Sequence, residues 1–599
     1  MEAGRTGSSW QRWEWLGWVL AYGALRLVLL VSFCDVFVYG EEFEKAAAGK
    51  ALLDGVPIPA QLLPYHPYEG GGFVVSVLDA LAFASLGESV LAIKVVALGL
   101  GAATLWMGWR LCERYGDRAS ARAFALLFVF APESVQANST LALGIHYHAC
   151  LFIGLVLWLT FRAAFAREAR GGLWVALGIA SGFGFYFSYQ LALTLLVAGG
   201  LLLAAWRREL FGTRLAWALA GAVIGLTPLL WMALEHGGAV FDIHGASLVG
   251  GDVSKLDLLA KFWTSLTEGR GIADLAALVL LGLTPVLAVS ALRGCESRVF
   301  RWTLLTLVAH IALFLAAYLA GGFTVGRVLH YFYLHRLMPL WFLAILLCAL
   351  AVSRRRWLWA PISVLALLGA LDTVRMVRDA QPGSWVQNLA QLAHEKGYRY
   401  SQYLQKIAPR LPGTRADKLS LLLAFDEAQP ELLHEALAIA LYGPGEGSFE
   451  SMCDEIRAAG VEDLRTFELG MGLMLMRHKS RDFKERIDVV TGFDAPTREA
   501  LIEGIGRFGQ WELGTEDTVL REAKLGVDSA FPEPFFVGLG RRLHSALGDT
   551  RVPRYFERHS APAFLSRAKA ETLLAEVPES ARGLLRAGYE HTRLLHELP

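Results

Sequence analysis

Two adjacent carboxylates, Glu41 and Glu42, head an alanine-rich stretch that reads E-E-F-E-K-A-A-A-G-K-A-L-L-D-G. The stretch predicts a helix from Glu41 to about Leu53, closed by Asp54-Gly55. Both acids then sit at the positive end of that helix, where a carboxylate can take a proton or bind a divalent cation. Lys45 and Lys50 follow on the same segment, and Y-H-P-Y-E-G-G-G brings His66 soon after. The bland alternative is a set of helix-starting charges in a solvated loop. Farther on, G-I-H-Y-H-A-C carries His146 and His148. Two residues apart, these do not share a helix face, so as a zinc pair they lack an identifiable third ligand. Arg327 and Arg336 flank H-Y-F-Y-L-H. A guanidinium suits a phosphate because its planar fork makes two charge-assisted bonds; Arg336, just before an apolar span, also fits a snorkelling anchor. Arg26 and Lys94 lie in apolar surroundings where an unpaired charge is costly, which predicts pairing with Asp79 or a backbone carbonyl.

Those residues must be positioned by a membrane domain. The chain is 54% hydrophobic and only 19% charged, against about a quarter charged for a soluble protein. The apolar excess fills the chain to about Leu371 and then stops, which divides it into a membrane domain at 1–375 and a soluble domain at 376–599. Windows of about 20 apolar residues give about eleven spans, near 16–33, 90–111, 119–132, 148–165, 173–188, 190–206, 215–234, 273–292, 302–320, 337–352 and 357–374. The stretch 73–86 is short and holds Asp79, and reads as a half-buried juxtamembrane helix. The six cysteines are scattered singly, so no disulfide framework or CxxC metal site is expected. Zero formal net charge gives no argument for nucleic acid.

Loop charge predicts orientation. With the N-terminus inside, the inner loops include R-L-C-E-R-Y-G-D-R-A-S-A-R, W-R-R-E-L-F-G-T-R and S-R-R-R-W, while the outer loop at 133–146 has no arginine. That asymmetry follows the positive-inside rule, and counting 73–86 as a crossing would invert it. The external loop 35–72 and the C-terminal domain therefore face the exterior, together with His66, His146, His148, Arg327 and Arg336.

The soluble part has a period. A-L-A at 436–438, G-M-G at 470–472, G-I-G at 504–506 and G-L-G at 538–540 recur every 34 residues. A fixed period of that length predicts stacked helical hairpins across about 430–545, TPR-like in length only. The paired glycines predict close helix contact at repeat junctions; they are not phosphate loops, since no strand precedes them. Such arrays offer a concave face to a partner.

The first external loop resembles that of the polytopic GT-C glycosyltransferases, in the protein-mannosyltransferase and aminoarabinose-transferase branch. The order shared is an acidic pair opening a helix, a leucine-rich end with a glycine, a His-Pro step, an amphipathic helix, a glycine, and a basic residue in the second span. Here these are Glu41-Glu42, Leu52-Leu53-Asp54-Gly55, Tyr65-His66-Pro67, the helix at 73–86, Gly87 and Lys94. The segments I-G-L-T-P-L-L at 224–230 and H-Y-F-Y-L-H-R-L-M-P-L at 330–340 are similar too, so the resemblance covers roughly residues 10–375. It implies an all-α polytopic bundle in a bacterial inner membrane that transfers a sugar from a polyprenyl-phosphate carrier to a protein or glycan acceptor at the outer face. It also implies that Glu41 acts as base or holds a divalent metal, with Glu42 beside it. Arg336 would hold the lipid phosphate, joined by Lys45 or Lys50, with Arg327 and His66 nearby. Glu41 stands where the family has Asp, one methylene shorter. Two rival readings are an inactive relative that organises an envelope complex through its repeats, and a transporter, which would predict interrupted spans in two related halves.

Overall fold

The computed structural model describes residues 9–32, 40–56, 70–166, 170–236, 286–293, 295–320, 338–379 and 384–394, then shorter pieces that include 400–407, 414–423, 490–507, 532–546 and 579–597. Every regular element among the described residues is a helix. The membrane part runs α1 Ser9–Ser32, α2 Gly40–Leu53, α3 Gly71–Leu86, α4 Val90–Tyr115, α5 Arg118–Val129, α6 Glu133–Asn138, α7 Ala149–Phe165, α8 Gly171–Phe187, α9 Leu191–Trp206, α10 Thr213–His236, α11 Arg298–Ala320, α12 Met338–Val352 and α13 Trp359–Asp379. The short helix α14, Trp385–His394, follows. Later come α15 Tyr400–Ile407, α16 Arg415–Leu422, α17 Ala495–Arg507, α18 Pro532–Ala546 and α19 Glu579–Glu597.

Among the described residues, six helical stretches are long and apolar enough to cross a bilayer, and four shorter apolar helices accompany them. The protein is thus an all-α polytopic membrane protein. Ten of the expected spans fall on described helices, and 273–292 lies mostly outside the described residues. Helix α3 has 16 residues, so at about 1.5 Å per residue it extends roughly 24 Å, short of the roughly 30 Å hydrocarbon core.

Contacts divide the chain into two units, Met1–Lys50 with His66–Tyr398, and Ala51–Tyr65 with Arg399–Pro599. In the first unit α12 is the inner post: every residue from Met338 to Val352 except Trp341 is buried, as expected for a helix apolar all round. It packs against α5, α11, α4 and α7. Side-chain caps start the helices beside it, with Ser89 accepting from the Ala92 N–H and Asp117 from the Ser120 N–H.

Helices α8 and α10 meet differently. A Cβ on Gly178 would lie 2.0 Å from the Ala218 carbonyl oxygen, and one on Gly182 would lie 2.4 Å from that of Ala222. In return, Gly221 and Gly225 would place theirs 2.2 and 2.4 Å from the carbonyls of Val175 and Ile179. Each helix therefore carries a small-xxx-small seam that admits its neighbour's backbone, the packing lipid favours because it offers no hydrophobic gain between helices.

Arg26, fully buried on α1, shows how a charge is satisfied inside such a bundle. Its guanidinium donates to the Val129 and Phe128 carbonyls, to Gln136 Oε1 and to Ser139 Oγ at 2.7 Å. The expected pairing with backbone carbonyls holds for Arg26. Gln136 then bridges to the Gly369 carbonyl and Thr373 on α13, so one polar knot ties α1, α6 and α13 together.

In the second unit three of the glycines that recur at 34 residues, Gly472, Gly504 and Gly506, lie at helix contacts. A Cβ on Gly472 would fall 2.1 Å from the Leu501 carbonyl, and one on Gly504 2.1 Å from that of Leu469. Gly506 makes the same approach to the Phe535 carbonyl, at 2.2 Å, and Gly588, which is outside the 34-residue series, to that of Val537, at 2.1 Å. The A-L-A segment lies outside the described residues.

Candidate functional site

Helix α2 begins where the sequence places it, with Glu41 and Glu42 in its first turn and Lys50 in its last, an arrangement that complements the helix dipole at both ends. Gly55, at φ +69°, turns the chain out of the helix, and the Val56 N–H closes on the Ala51 carbonyl at 3.0 Å. Residues 42–49 are all buried. Gly49 makes this possible: a Cβ there would lie 2.4 Å from the Ser76 carbonyl and 3.2 Å from Asp79 Cβ, so α2 lies directly on α3.

The two acids part company at once, because neighbours on a helix point about 100° apart. Glu42 is fully buried. Its Oε1 meets Lys94 Nζ at 2.5 Å and its Oε2 accepts the Ala142 N–H at 3.1 Å. Lys94 was expected to pair with Asp79 or a carbonyl; its bonded partner is instead Glu42, 52 residues away. Glu41 keeps 31% of its side chain exposed and lies 3.6 Å from Lys45, one turn on. Lys45 itself is buried against Gly72, whose added Cβ would stand 3.3 Å from Lys45 Cε. Lys50 pairs with Glu88 at 3.0 Å.

Asp79, on the α3 face turned toward α2, is fully buried, and neither carboxylate oxygen has a hydrogen-bond partner among the described residues. Burial pushes its carboxyl well above the usual carboxylate range and the Glu42 charge adds to this, opposed by Lys45 and Lys94. The buried acids and lysines thus form one electrostatic cluster.

The segment between α6 and α7 forms the other wall. Gly144 (φ +71°) and Gly71 cross so closely that a Cβ on Gly71 would stand 1.6 Å from the Gly144 carbonyl oxygen. His146, also at positive φ, has its Nδ1 2.8 Å from Gln190 Nε2. His148 is fully buried and its Nδ1 accepts the Gly144 N–H at 3.2 Å. In the neutral ring the proton must then be on Nε2, which has no partner among the described residues. The two imidazoles thus serve different partners, and no group of three His, Cys, Asp or Glu among the described residues could hold a metal.

The structure therefore brings together Glu41, Glu42, Lys45 and Lys94, with His146 and His148 on the adjoining segment. Lys50 lies at the far end of α2. His66, Arg327 and Arg336 lie outside the described residues. Reading the sequence alone missed the Ala142 N–H, Gln190 and the link between Lys94 and Glu42. No local motif marks the first two. The third had a signal, since Glu42, Ala46 and Gly49 share a helix face at i, i+4, i+7.

No family model matches this chain, and no curated protein does. Among solved structures it is similar to ArnT from Cupriavidus metallidurans bound to undecaprenyl phosphate, at 13% identity over 94% of this chain and 89% of that one, with a TM-score of 0.36. It is also similar to the archaeal oligosaccharyltransferase AglB from Archaeoglobus fulgidus in complex with an inhibitory peptide and a dolichol-phosphate, at 14% identity over 69% of this chain and 60% of that one, TM-score 0.36. A third similar structure is the Archaeoglobus fulgidus oligosaccharyltransferase complex with Zn and sulfate, at 14% identity over 68% and 58%, TM-score 0.34. Such scores are too low to carry the chemistry of the site, which stands on the side chains above.

Proposed function

We propose that this chain is a membrane glycosyltransferase of the GT-C type that moves a sugar from a polyprenyl-phosphate carrier to an acceptor at the outer face of a bacterial inner membrane. In this reading the N-terminus is cytoplasmic, and the repeat domain lies outside and engages a protein or glycan acceptor. The observation that carries it is the division of labour in the acidic pair. Both oxygens of Glu42 are committed, one to Lys94 and one to the Ala142 N–H, so Glu42 fixes α2. Glu41 is the acid that reaches open space, where it deprotonates or orients an acceptor. Lys45 sits one turn away and supplies positive charge beside the reacting group, while Arg336 grips the carrier phosphate.

The test is binding of undecaprenyl phosphate to the purified protein by native mass spectrometry, with Arg336→Ala and Glu41→Gln alongside. Saturable binding that Arg336→Ala abolishes and Glu41→Gln retains is the expected result. Binding that is absent, or indifferent to Arg336→Ala, would sink the reading.

A further inference from the structure

Helix α14 is amphipathic in a way the bundle does not use. Its sequence, W-V-Q-N-L-A-Q-L-A-H, buries Asn388 and Leu392 and leaves the rest exposed. At about 100° per residue, Trp385, Leu389, Ala393, Val386 and Ala390 occupy one uninterrupted arc of roughly 140°. That arc flanks the buried Asn388–Leu392 face and is open, with Trp385 48%, Val386 78% and Leu389 43% exposed. The polar residues Gln387, Gln391 and His394 occupy the neighbouring arc. The helix is firmly started: the Ser384 N–H donates to Gln387 Oε1 at 3.0 Å and the Gln387 N–H to Ser384 Oγ at 3.2 Å, a reciprocal cap.

Its place in the fold decides what covers the arc. Asn388 Nδ2 donates to the Val31 carbonyl at 2.8 Å, one residue before α1 ends. The chain just after α14 lies against the first residue of α4's entry, since a Cβ on Gly397 would stand 2.5 Å from the Ser89 carbonyl. Only residues 380–384 separate α14 from the end of α13. Three membrane helices thus end or begin where α14 is attached, which is the level of the bilayer surface. An exposed tryptophan and valine at that level belong to the interface between headgroups and acyl chains.

We infer that α14 is an interfacial helix whose Trp385, Val386 and Leu389 face is sunk into the leaflet on the α1-exit side of the membrane. The helix holds no lysine, arginine or acid, so its insertion runs on apolar burial rather than on attraction to anionic lipid. It anchors the chain to the membrane surface directly beyond the last span, and is independent of the sugar-transfer reading.

The test uses the full-length protein in lipid nanodiscs, with Cys34 and Cys453 replaced by serine and a nitroxide placed singly through Val386→Cys, Leu389→Cys, Gln391→Cys or His394→Cys. Collision with oxygen, which partitions into lipid, is compared with collision with a water-soluble nickel chelate. Labels at 386 and 389 are expected to meet oxygen and to be shielded from nickel. Labels at 391 and 394 are expected to do the reverse. The depth is expected to be the same in phosphatidylcholine discs and in discs containing phosphatidylglycerol. Equal nickel access at all four positions would place the face in water and overturn the inference. Shielding of 386 and 389 from both reagents would show a protein cover, a segment of this chain or a second copy, and would overturn it too. Insertion seen only with phosphatidylglycerol would refute the apolar mechanism.

Discussion

Replacing Lys94 with methionine tests the architecture of the acidic pair. The side chain that remains, Glu42, is fully buried and keeps the bond from the Ala142 N–H. Removing one partner of a buried ion pair strands the other charge and costs about 3–5 kcal/mol. Lys94→Met should therefore destabilise the membrane unit by that amount, and Glu42→Met by a comparable one, since it strands Lys94 and orphans the Ala142 donor. The double variant Glu42→Gln with Lys94→Met removes both charges, and Gln keeps an oxygen for the Ala142 N–H. It should stand within about 2 kcal/mol of the parent, because a buried pair replaced by neutral groups of similar volume is often close to neutral. The coupling in a Glu42→Gln, Lys94→Met cycle should then exceed about 1 kcal/mol, in the range for residues in contact. Equilibrium unfolding of the purified protein in mixed micelles, followed by tryptophan fluorescence, reads all four corners of the cycle. Single variants that each cost under about 1 kcal/mol, or effects that simply add, would refute the claim that Lys94 neutralises Glu42 in the folded protein.

Three further outcomes follow from the geometry. The raised Asp79 carboxyl keeps its proton in the folded state at pH values where the unfolded chain, with an ordinary value of 3.8, has lost it. Its contribution to stability therefore falls as pH rises above about 4, and Asp79→Asn should flatten that slope in a pH series of unfolding curves; an unchanged slope would count against it. Gly182→Leu should separate α8 from α10 and cost about 1–3 kcal/mol or more, while Gly199→Leu, which meets nothing within 4 Å, should be near neutral by thermal unfolding. In the second unit, Gly504→Leu should open the contact with residues 469–472 and speed proteolysis of the C-terminal part of the full-length protein, whereas Gly583→Ala, with open space around it, should not.

Much of the fold was legible because lipid imposes a simple code: long apolar runs become helices, and α1, α4 and α9 to α13 fall where composition puts them. The head of α2 was legible as well, since two acids before an alanine run and a closing Asp-Gly leave few alternatives. In the second unit Gly472, Gly504 and Gly506 were legible as points of close approach, because a residue without a side chain at fixed spacing has few other uses. What stayed hidden was pairing across long chain separations. Lys94 was expected to meet Asp79 or a backbone carbonyl; the helix face of α2 that carries Glu42, Ala46 and Gly49 is turned inward and brings Glu42 to it instead. The wall built by Gly144, His146 and His148 depends on positive backbone angles that no periodicity announces. The small-xxx-small spacing in α8 and α10 was readable, as G-I-A-S-G and G-A-V-I-G, and went unread beside the larger hydropathy signal.

That last seam bears on how distant kin of this chain could be found. Reacting side chains can change while a fold persists. A place where two backbones touch tolerates far less, since any added carbon at Gly178, Gly182, Gly221 or Gly225 would have to occupy a neighbour's carbonyl. Two pairs of tiny residues, each four apart and separated by one intervening span, are a fingerprint of volume rather than of reactivity. A search keyed to that spacing, with an acidic doublet upstream, would recover cousins whose catalytic vocabulary has changed beyond recognition.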